Sequence, residues 1–471
     1  MIVSIELVGA QPAGPRDRIA SDPDVQGAER LFSAWLDGQL LERGLPGVVV
    51  GVVSDQDLVW AKGFGFADIA AKTPMTPPVK FRMASHSKLF TATAIMQLRE
   101  QGKLRLDDPV SAHLPWFRMK PASADDPPIT IEELLTHSSG LPREAGAHWT
   151  TFDFPSGEQL RALMPERQAP FAPETRWKYS NLAYSIAGMI VEQESGMTWA
   201  VYLQQHIFDP LAMNASSVDR NVPGLAVGYG RRKPDGTRAV NPFIDARGMA
   251  AATGLTSTVE DMAKFVSAQF RKGARGGSRI LSTGSLREMH RIRVLENNWT
   301  QGNAIGFAVR KAGDKVYVSH GGSYPGYQTN TLLWLDGKVA VIVLTNADDA
   351  NPGAMATELM NTVGQAVSKA AAAVTAPPTP TWDPAWSRFA GLYRGRGGDS
   401  EVVELNRRLV LINPAAANLD NPITLEPVGG GQFRYVANAG GGPVGEIVRF
   451  VEENGQVVRM ITGDSYVERV R

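Results

Sequence analysis

The 471-residue chain contains no cysteine, and its 48 basic and 48 acidic side chains leave no net charge. Without thiols it has no disulfide framework, no cysteine nucleophile and no thiolate metal site. Without an excess of basic residues it lacks the attraction that holds a nucleic-acid backbone, so we expect no nucleic-acid partner. With 43% hydrophobic and 20% charged residues, the composition is that of a globular protein.

The sequence also lacks a long apolar run. Its best candidates, residues 47–53 and 339–344, have the length of strands, whereas a membrane-spanning helix needs about 18 or more apolar residues. We therefore expect no membrane span. Because no basic residue precedes Arg16, the amino terminus lacks the charged region of a secretory signal. We predict a cytoplasmic protein, or a periplasmic or secreted one if a signal has been removed.

The pattern of predicted elements divides the chain into four segments. Residues 1–29, rich in small residues and proline, predict an N-terminal arm. Residues 30–370 run from a helix and a hairpin through mostly helices and back to strands, which predicts an antiparallel sheet built from distant segments. Residues 371–384, rich in Ala, Pro and Thr, predict a linker. Short strand-like runs between glycine-rich turns in residues 385–471 predict a small antiparallel barrel or sandwich.

The segment Ser85-His-Ser-Lys88 has the spacing of a serine nucleophile and its base. No other serine in the chain has a lysine three positions later, and an apolar helical pattern follows. Residues three apart share one helix face, so the Ser85 hydroxyl and the Lys88 amine are expected to be neighbours. Burial lowers the proton affinity of an amine and makes a neutral base available. The alternative is a capping serine beside a surface lysine.

Tyr179-Ser-Asn181 is the only Tyr-x-Asn segment, and it precedes a second apolar helical pattern. A tyrosine that faces an ammonium group can have its pKa lowered and relay a proton. The asparagine amide can position both the lysine and a substrate carbonyl. The alternative is a packed aromatic residue followed by Asn181 as a helix N-cap.

His320-Gly-Gly322 ends a predicted strand. Glycines at this position let a substrate lie against the strand edge. The backbone amides of Ser323 and Ser85 are then candidates for an oxyanion hole. The alternative is a turn histidine followed by flexible glycines.

Taken together and in this order, the three motifs resemble those of the serine penicillin-recognising enzymes, whose pattern is Ser-x-x-Lys, Ser-Asp-Asn and Lys-Thr-Gly. With tyrosine in the second motif and histidine in the third, the chain resembles the class C β-lactamase-like branch. That branch includes carboxylesterases, D-amino-acid-specific peptidases, D-alanyl-D-alanine carboxypeptidases and peptide-cyclising thioesterases. The resemblance covers about residues 28–368. It implies an α+β domain of the β-lactamase type, and residues 385–471 resemble the lipocalin-like β-barrel that some members append.

The resemblance also implies roles for the matching residues. Ser85 is expected to be the nucleophile and Lys88 its activating base. Tyr179 is expected to act as general acid and base, Asn181 to position the substrate, and His320 to serve as electrostatic partner in place of a lysine. The expected substrate-binding residues are Gly321, Gly322 and Tyr324. The resemblance implies no metal and no organic cofactor.

The predicted activity is hydrolysis of a small-molecule ester, an amide or a short peptide through an acyl-enzyme on Ser85. A D-amino-acid-specific peptidase, a peptide-cyclising acyltransferase and a penicillin-binding sensor with little turnover are the alternatives. Because His-Gly-Gly replaces Lys-Thr-Gly, the groups that hold a β-lactam carboxylate are missing, and we expect little β-lactamase activity. Nearby aromatic residues predict either an apolar acyl pocket or core packing: Trp149, Phe152, Phe154, Tyr324 and Tyr327. The oligomeric state is left open.

Overall fold

The structure is a computed structural model that describes residues 14–218, 222–270, 280–375, 382–416, 422–436 and 444–470. The chain divides into two compact units, Met1–Thr375 and Ala376–Arg471. The first unit is mixed α and β, and the second is a β-barrel.

The first unit contains a nine-stranded sheet in the order β3-β2-β1-β11-β10-β9-β8-β7-β6, and each adjacent pair is antiparallel. The strands of this unit, including the separate pair β4 and β5, are β1 (Gly47–Ser54), β2 (Asp57–Asp68), β3 (Thr73–Pro74), β4 (Phe81–Arg82), β5 (Thr256–Ser257), β6 (Val294–Leu295), β7 (Gln301–Asn303), β8 (Ala308–Ala312), β9 (Lys315–Tyr324), β10 (Tyr327–Trp334) and β11 (Val339–Thr345).

The two central strands explain the apolar runs of the sequence. In β1, Val49 and Val53 pack into one hydrophobic core, whereas Val48, Val50 and Val52 pack into a second core on the opposite face. Strand β11 alternates in the same way and pairs with β1. Because helices cover both faces, these antiparallel strands are apolar throughout, without the alternation of a half-exposed strand.

Some helices of this unit pack on the sheet, and others pack on one another. Those described are α1 (Pro15–Ala20), α2 (Pro23–Arg43), α3 (Ser87–Glu100), α4 (Val110–His113), α5 (Ile131–Thr136), α6 (His148–Thr151), α7 (Gly157–Leu163), α8 (Asn181–Ser195), α9 (Trp199–Leu203), α10 (Asp209–Leu211), α11 (Ala250–Thr253), α12 (Val259–Gln269), α13 (Thr283–Met289), α14 (Pro352–Leu359) and α15 (Gln365–Thr375). Helix α3 is buried from residue 87 to residue 98, which is all but its last two residues. A helix buried on all sides lies in the interior of a domain, so the turn that precedes α3 is fixed by packing.

The ends of the first unit differ from the sequence prediction. Part of the predicted N-terminal arm is helical, because α1 and the first residues of α2 lie between residues 15 and 29, and Ile19 and Val25 are buried. Residues 1–13 lie outside the described residues. At the other end α15 continues to Thr375 and so occupies the start of the predicted linker, residues 371–384. Residues 376–381 of that linker lie outside the described residues.

The second unit is a closed barrel of eight strands in sequential order. They are β12 (Gly391–Gly395), β13 (Gly398–Glu404), β14 (Leu409–Ile412), β15 (Ile423–Gly429), β16 (Gln432–Val436), β17 (Ile447–Glu453), β18 (Gln456–Thr462) and β19 (Ser465–Arg469). Pairing of β19 with β12 closes the barrel and removes the free sheet edges. The predicted α+β domain followed by a β-barrel is confirmed. None of the helices in the described ranges has both the length and the apolar character needed to cross a bilayer.

Candidate active site

Ser85 lies in a single 3-10 turn, Ala84–His86, that leads directly into α3. The preceding residue, Ala84, has a φ of 50°, a left-handed conformation that is uncommon for a residue with a side chain. Two hydrogen bonds hold this backbone: the Ser87 hydroxyl donates to the Ala84 carbonyl at 2.7 Å, and the Met83 amide donates to the Leu255 carbonyl at 2.8 Å. The turn therefore presents the Ser85 hydroxyl from a fixed backbone.

Lys88 is fully buried one turn after Ser85. Its Nζ lies 3.0 Å from Ser85 Oγ, 2.8 Å from Asn181 Oδ1 and 2.9 Å from the Ala252 carbonyl oxygen. Burial lowers the pKa of the Lys88 amine well below its usual value of 10.5, an effect that the Glu144 carboxylate partly opposes. Lys88 is therefore suited to act as a neutral base toward Ser85.

Tyr179 reaches the same hydroxyl from a distant segment, with its own hydroxyl 2.8 Å from Ser85 Oγ. Its ring lies against the His137 ring, with 4.3 Å between the centroids. The expectation of a lowered tyrosine pKa is wrong, because burial raises the pKa of Tyr179 to about 12. The phenol therefore stays protonated at neutral pH and is suited to donate a proton.

Asn181 is the first residue of α8 and is not its N-cap. Ser180 is the N-cap, and its Oγ accepts from the Ala183 amide at 2.9 Å. The Asn181 side chain is thus available to contact Lys88 through Oδ1, while its Nδ2 donates to Glu144 Oε1 at 2.5 Å.

His320 differs from the sequence prediction in two respects. Strand β9 continues past it to Tyr324, so His320 lies inside a strand and not at its end. Burial lowers the pKa of His320 to about 3, so the ring is uncharged at neutral pH and does not supply the positive charge of the lysine that it replaces. The ring borders a neighbouring cavity of about 300 Å³ that also touches Tyr179.

The two glycines after His320 have different surroundings. Gly322 packs directly against the Ser85 turn, because a Cβ added there would overlap Thr329 Oγ1 and the Met83 carbonyl oxygen. At Gly321 the nearest atom to an added Cβ is 3.5 Å away, and the residue is exposed at the cavity wall. Gly322 therefore allows β9 to approach the Ser85 turn, while Gly321 faces the space where a substrate would bind.

Ser85 opens into a cavity of about 1020 Å³. Of the predicted site residues, the cavity is lined by Ser85, Tyr179, Asn181, Gly321, Gly322, Ser323 and Tyr324. Tyr324 contributes its ring to the wall, while its hydroxyl donates to the Ile244 carbonyl at 3.1 Å. Trp149 and Phe152 also line the cavity, whereas Phe154 and Tyr327 are buried in the core.

Sequence reasoning missed the charged groups of this cavity: Arg143, Glu144, Arg231 and Asp348. Of these four, Glu144 contacts the Asn181 side chain directly, because its Oε1 accepts from Asn181 Nδ2. None of the three sequence motifs includes Glu144, since it lies between Ser85-His-Ser-Lys88 and Tyr179-Ser-Asn181.

The sequence model of the family described as Beta-lactamase matches residues 28–363, which is most of the chain. The chain belongs to the beta-lactamase family. Within this family it is 27% identical over 312 residues to penicillin-binding protein 4* of Bacillus subtilis, a match that covers 62% of this chain and 66% of the relative. It is 33% identical over 242 residues to the esterase EstB of Burkholderia gladioli, which covers 48% of this chain and 61% of the relative.

A solved structure gives a similarity over both units. The octameric penicillin-binding protein homologue from Pyrococcus abyssi superimposes with a TM-score of 0.63 at 25% identity, covering 93% of this chain and 98% of that one. The matches to the two relatives named above cover a smaller part of this chain. The chain spans 66% and 61% of the lengths of those relatives.

Proposed function

We propose that the protein is a serine hydrolase that cleaves small carboxylic esters through an acyl-enzyme on Ser85. The observation that carries this proposal is the position of Ser85 Oγ, 3.0 Å from Lys88 Nζ and 2.8 Å from the Tyr179 hydroxyl at the wall of a large cavity. A hydroxyl between a neutral amine and a protonated phenol has a base to accept its proton and an acid to protonate a leaving group.

In acylation, Lys88 accepts the proton of the Ser85 hydroxyl while Oγ bonds to the substrate carbonyl carbon. The backbone amides of Ser85 and Ser323 stabilise the oxyanion that forms. The bond to the leaving oxygen then breaks as Tyr179 donates its phenolic proton to that oxygen. The ammonium group of Lys88 returns a proton to the Tyr179 oxygen, which restores both groups.

In deacylation the same groups act in the opposite direction. Water enters the place of the departed alcohol and gives a proton to the Lys88 and Tyr179 pair as its oxygen bonds to the acyl carbon. The Ser85 ester bond breaks, and Ser85 Oγ recovers a proton from the pair. The products are the free carboxylic acid and the starting enzyme, and no metal or organic cofactor takes part in these steps.

Two observations favour an ester over a β-lactam or a D-peptide. The esterase EstB is 33% identical to this chain over the matched region. In addition, the uncharged His320 supplies no cation at the position where the family pattern has lysine. Aromatic wall residues such as Trp149 and Phe152 are suited to an apolar acyl group.

The experiment is a hydrolysis panel of p-nitrophenyl esters, D-amino-acid amides and a chromogenic cephalosporin, measured for the parent, Ser85→Ala and the surface control Ser111→Ala. We expect steady ester turnover in the parent and Ser111→Ala and its loss in Ser85→Ala. Turnover of only the amides or only the cephalosporin would reassign the substrate. One product equivalent followed by a stall would instead favour a penicillin-binding sensor, and ester turnover that survives in Ser85→Ala would contradict the proposal.

A further inference from the structure

The three contacts of Lys88 determine where its lone pair points. A neutral amine has two N–H donors and one lone pair. The Ala252 carbonyl, 2.9 Å away, and Asn181 Oδ1, 2.8 Å away, can only accept hydrogen bonds. Together they use both donors, so the lone pair is directed at the third contact, Ser85 Oγ.

This arrangement depends on which end of the Asn181 amide faces Lys88. If the amide rotated by half a turn, Nδ2 would replace Oδ1 next to Nζ, and Nδ2 can only donate. The Lys88 lone pair would then accept from Asn181, and an N–H of Lys88 would face Ser85. In that arrangement Lys88 could not take the proton of the serine.

Glu144 opposes this rotation. Its Oε1 accepts from Asn181 Nδ2 at 2.5 Å, and a carboxylate at that distance can be paired only with the donor end of an amide. Rotation would bring Asn181 Oδ1 against the carboxylate oxygen and leave two acceptors in contact. Asn181 is itself buried, which makes such an unsatisfied pair costly.

Glu144 is in turn held by its neighbours. Its Oε2 lies 3.0 Å from His148 Nε2, and because a carboxylate oxygen can only accept, Nε2 is the donor of this hydrogen bond. The His148 ring is buried against Phe154, with 4.5 Å between the centroids. The backbone amides of Asn181 and Leu182 donate to the Arg143 carbonyl at 2.9 and 3.3 Å, which ties the two segments together.

We propose that Glu144 is a positioning residue: it fixes the orientation of the Asn181 amide and thereby directs the lone pair of Lys88 toward Ser85. This inference rests on the proposed function, in which Lys88 is the base. It assigns to Glu144 a role that is indirect, because the carboxylate acts through Asn181.

Glu144 also acts on Lys88 through its charge. Its negative charge raises the pKa of Lys88 and opposes burial, while Arg143 lowers it. The other titratable groups that face Lys88 among the described residues are His86, His137, His320, Tyr179 and Tyr184. Loss of the Glu144 charge should therefore lower the pKa of Lys88.

The test compares Glu144→Gln, Glu144→Ala, Asn181→Ala and the double variant Glu144→Ala/Asn181→Ala, with Glu158→Gln as an exposed control. We expect Glu144→Ala to lower kcat for an ester about 100-fold with little change in KM, the scale of a misaligned general base. Glu144→Gln keeps an acceptor for Asn181, so we expect a loss of about 10-fold or less, and the acid limb of kcat/KM should move to lower pH. In the Asn181→Ala background Glu144→Ala should cost little more, because the two residues act as one unit.

A titration of the Lys88 ¹³Cε chemical shift measures the charge effect without turnover and should show a lower pKa in Glu144→Gln than in the parent. Thermal unfolding confirms that each variant is folded. Three results would overturn the role of Glu144. They are full kcat in Glu144→Ala, an equal loss of kcat from Glu144→Ala in the presence and absence of Asn181, and an unchanged Lys88 titration in Glu144→Gln. A parent without Ser85-dependent turnover but with the expected Lys88 titration would overturn the proposed function instead.

Discussion

The interiors of the two units are built from different kinds of residue. Among the described residues, every buried polar or charged side chain other than tyrosine belongs to the first unit, including Lys88, His86 and Asn181. The barrel interior is lined by aromatic and aliphatic side chains, with Phe389 stacked on Phe450 at 4.4 Å between the centroids. Burial of polar groups costs free energy unless each finds a partner. The difference indicates that the interior of the first unit depends on hydrogen-bond partners for its polar groups, such as those of Lys88, far more than the barrel interior does.

The largest expected effect is at the buried amine. Lys88→Met keeps an unbranched apolar side chain as far as Cε and removes the base, so we expect kcat/KM for an ester to fall about 1000-fold or more. Lys62→Met, which removes an exposed lysine from β2, is the control and should leave the rate unchanged. Substantial ester turnover in Lys88→Met would show that the buried amine is not the base.

The second prediction concerns the glycines of β9. An Ala side chain at Gly322 would overlap atoms of Thr329 and Met83, so we expect Gly322→Ala to lower the free energy of unfolding by about 2 kcal/mol and kcat/KM by about 10-fold or more. Gly321→Ala is the matched control, because its Cβ has room, and it should be folded as stably as the parent. Equal stability of the two variants, measured by denaturant unfolding, would contradict the close packing of β9 on the Ser85 turn.

The third prediction concerns how the stability of the two units depends on pH. Burial lowers the pKa of His86 to about 4 and that of His320 to about 3, from an ordinary value of 6.5. Groups with a lowered folded-state pKa contribute stability that is present above pH 6.5 and is lost as the pH falls. At pH 5 the loss from His86 alone is about 2 kcal/mol. All 7 histidines precede the barrel in the sequence, so calorimetry should show the first unit, and not the barrel, losing stability between pH 7 and pH 5. An equal loss of stability in both units between pH 7 and pH 5 would show that the buried histidines of the first unit are not the cause.

The smallest effect is expected in the barrel. Phe433 is buried in its core, and Phe433→Leu should lower barrel stability by about 1 kcal/mol. Because the described residues that line the Ser85 cavity belong to the first unit, kcat for the ester should not change. This variant also identifies the calorimetric transition of the barrel. A fall in kcat would show that the barrel contributes to the activity.

The sequence was sufficient for the fold because its signals there are local and repeated. Apolar runs of strand length predicted the sheet. Short strand-like runs between glycine-rich turns predicted a small barrel or sandwich, and the structure shows a closed barrel. The motif spacing also predicted that Lys88 lies near Ser85, as helix geometry requires. The structure brings Tyr179 and Asn181 to the same hydroxyl and amine, although the catalytic roles of these residues stay predictions.

The sequence was insufficient where the outcome depends on burial or on contacts between distant segments. The pKa of Tyr179 rises because the side chain is buried, and this burial cannot be read from the residues next to it in the sequence. Glu144 contacts Asn181 from a position 37 residues earlier, and no spacing rule links the two. Glycines after His320 predicted the end of a strand, whereas Gly322 is required inside β9 for close packing.

The most direct test is to mix the protein with a slowly hydrolysed ester, stop the reaction with acid and measure the mass of the peptide that contains Ser85. We predict that the parent carries one acyl group on Ser85, that Ser85→Ala carries none, and that Lys88→Met is labelled far more slowly than the parent. An acyl group on another residue, or labelling of Ser85 in Lys88→Met at the parental rate, would contradict activation of Ser85 by the buried amine.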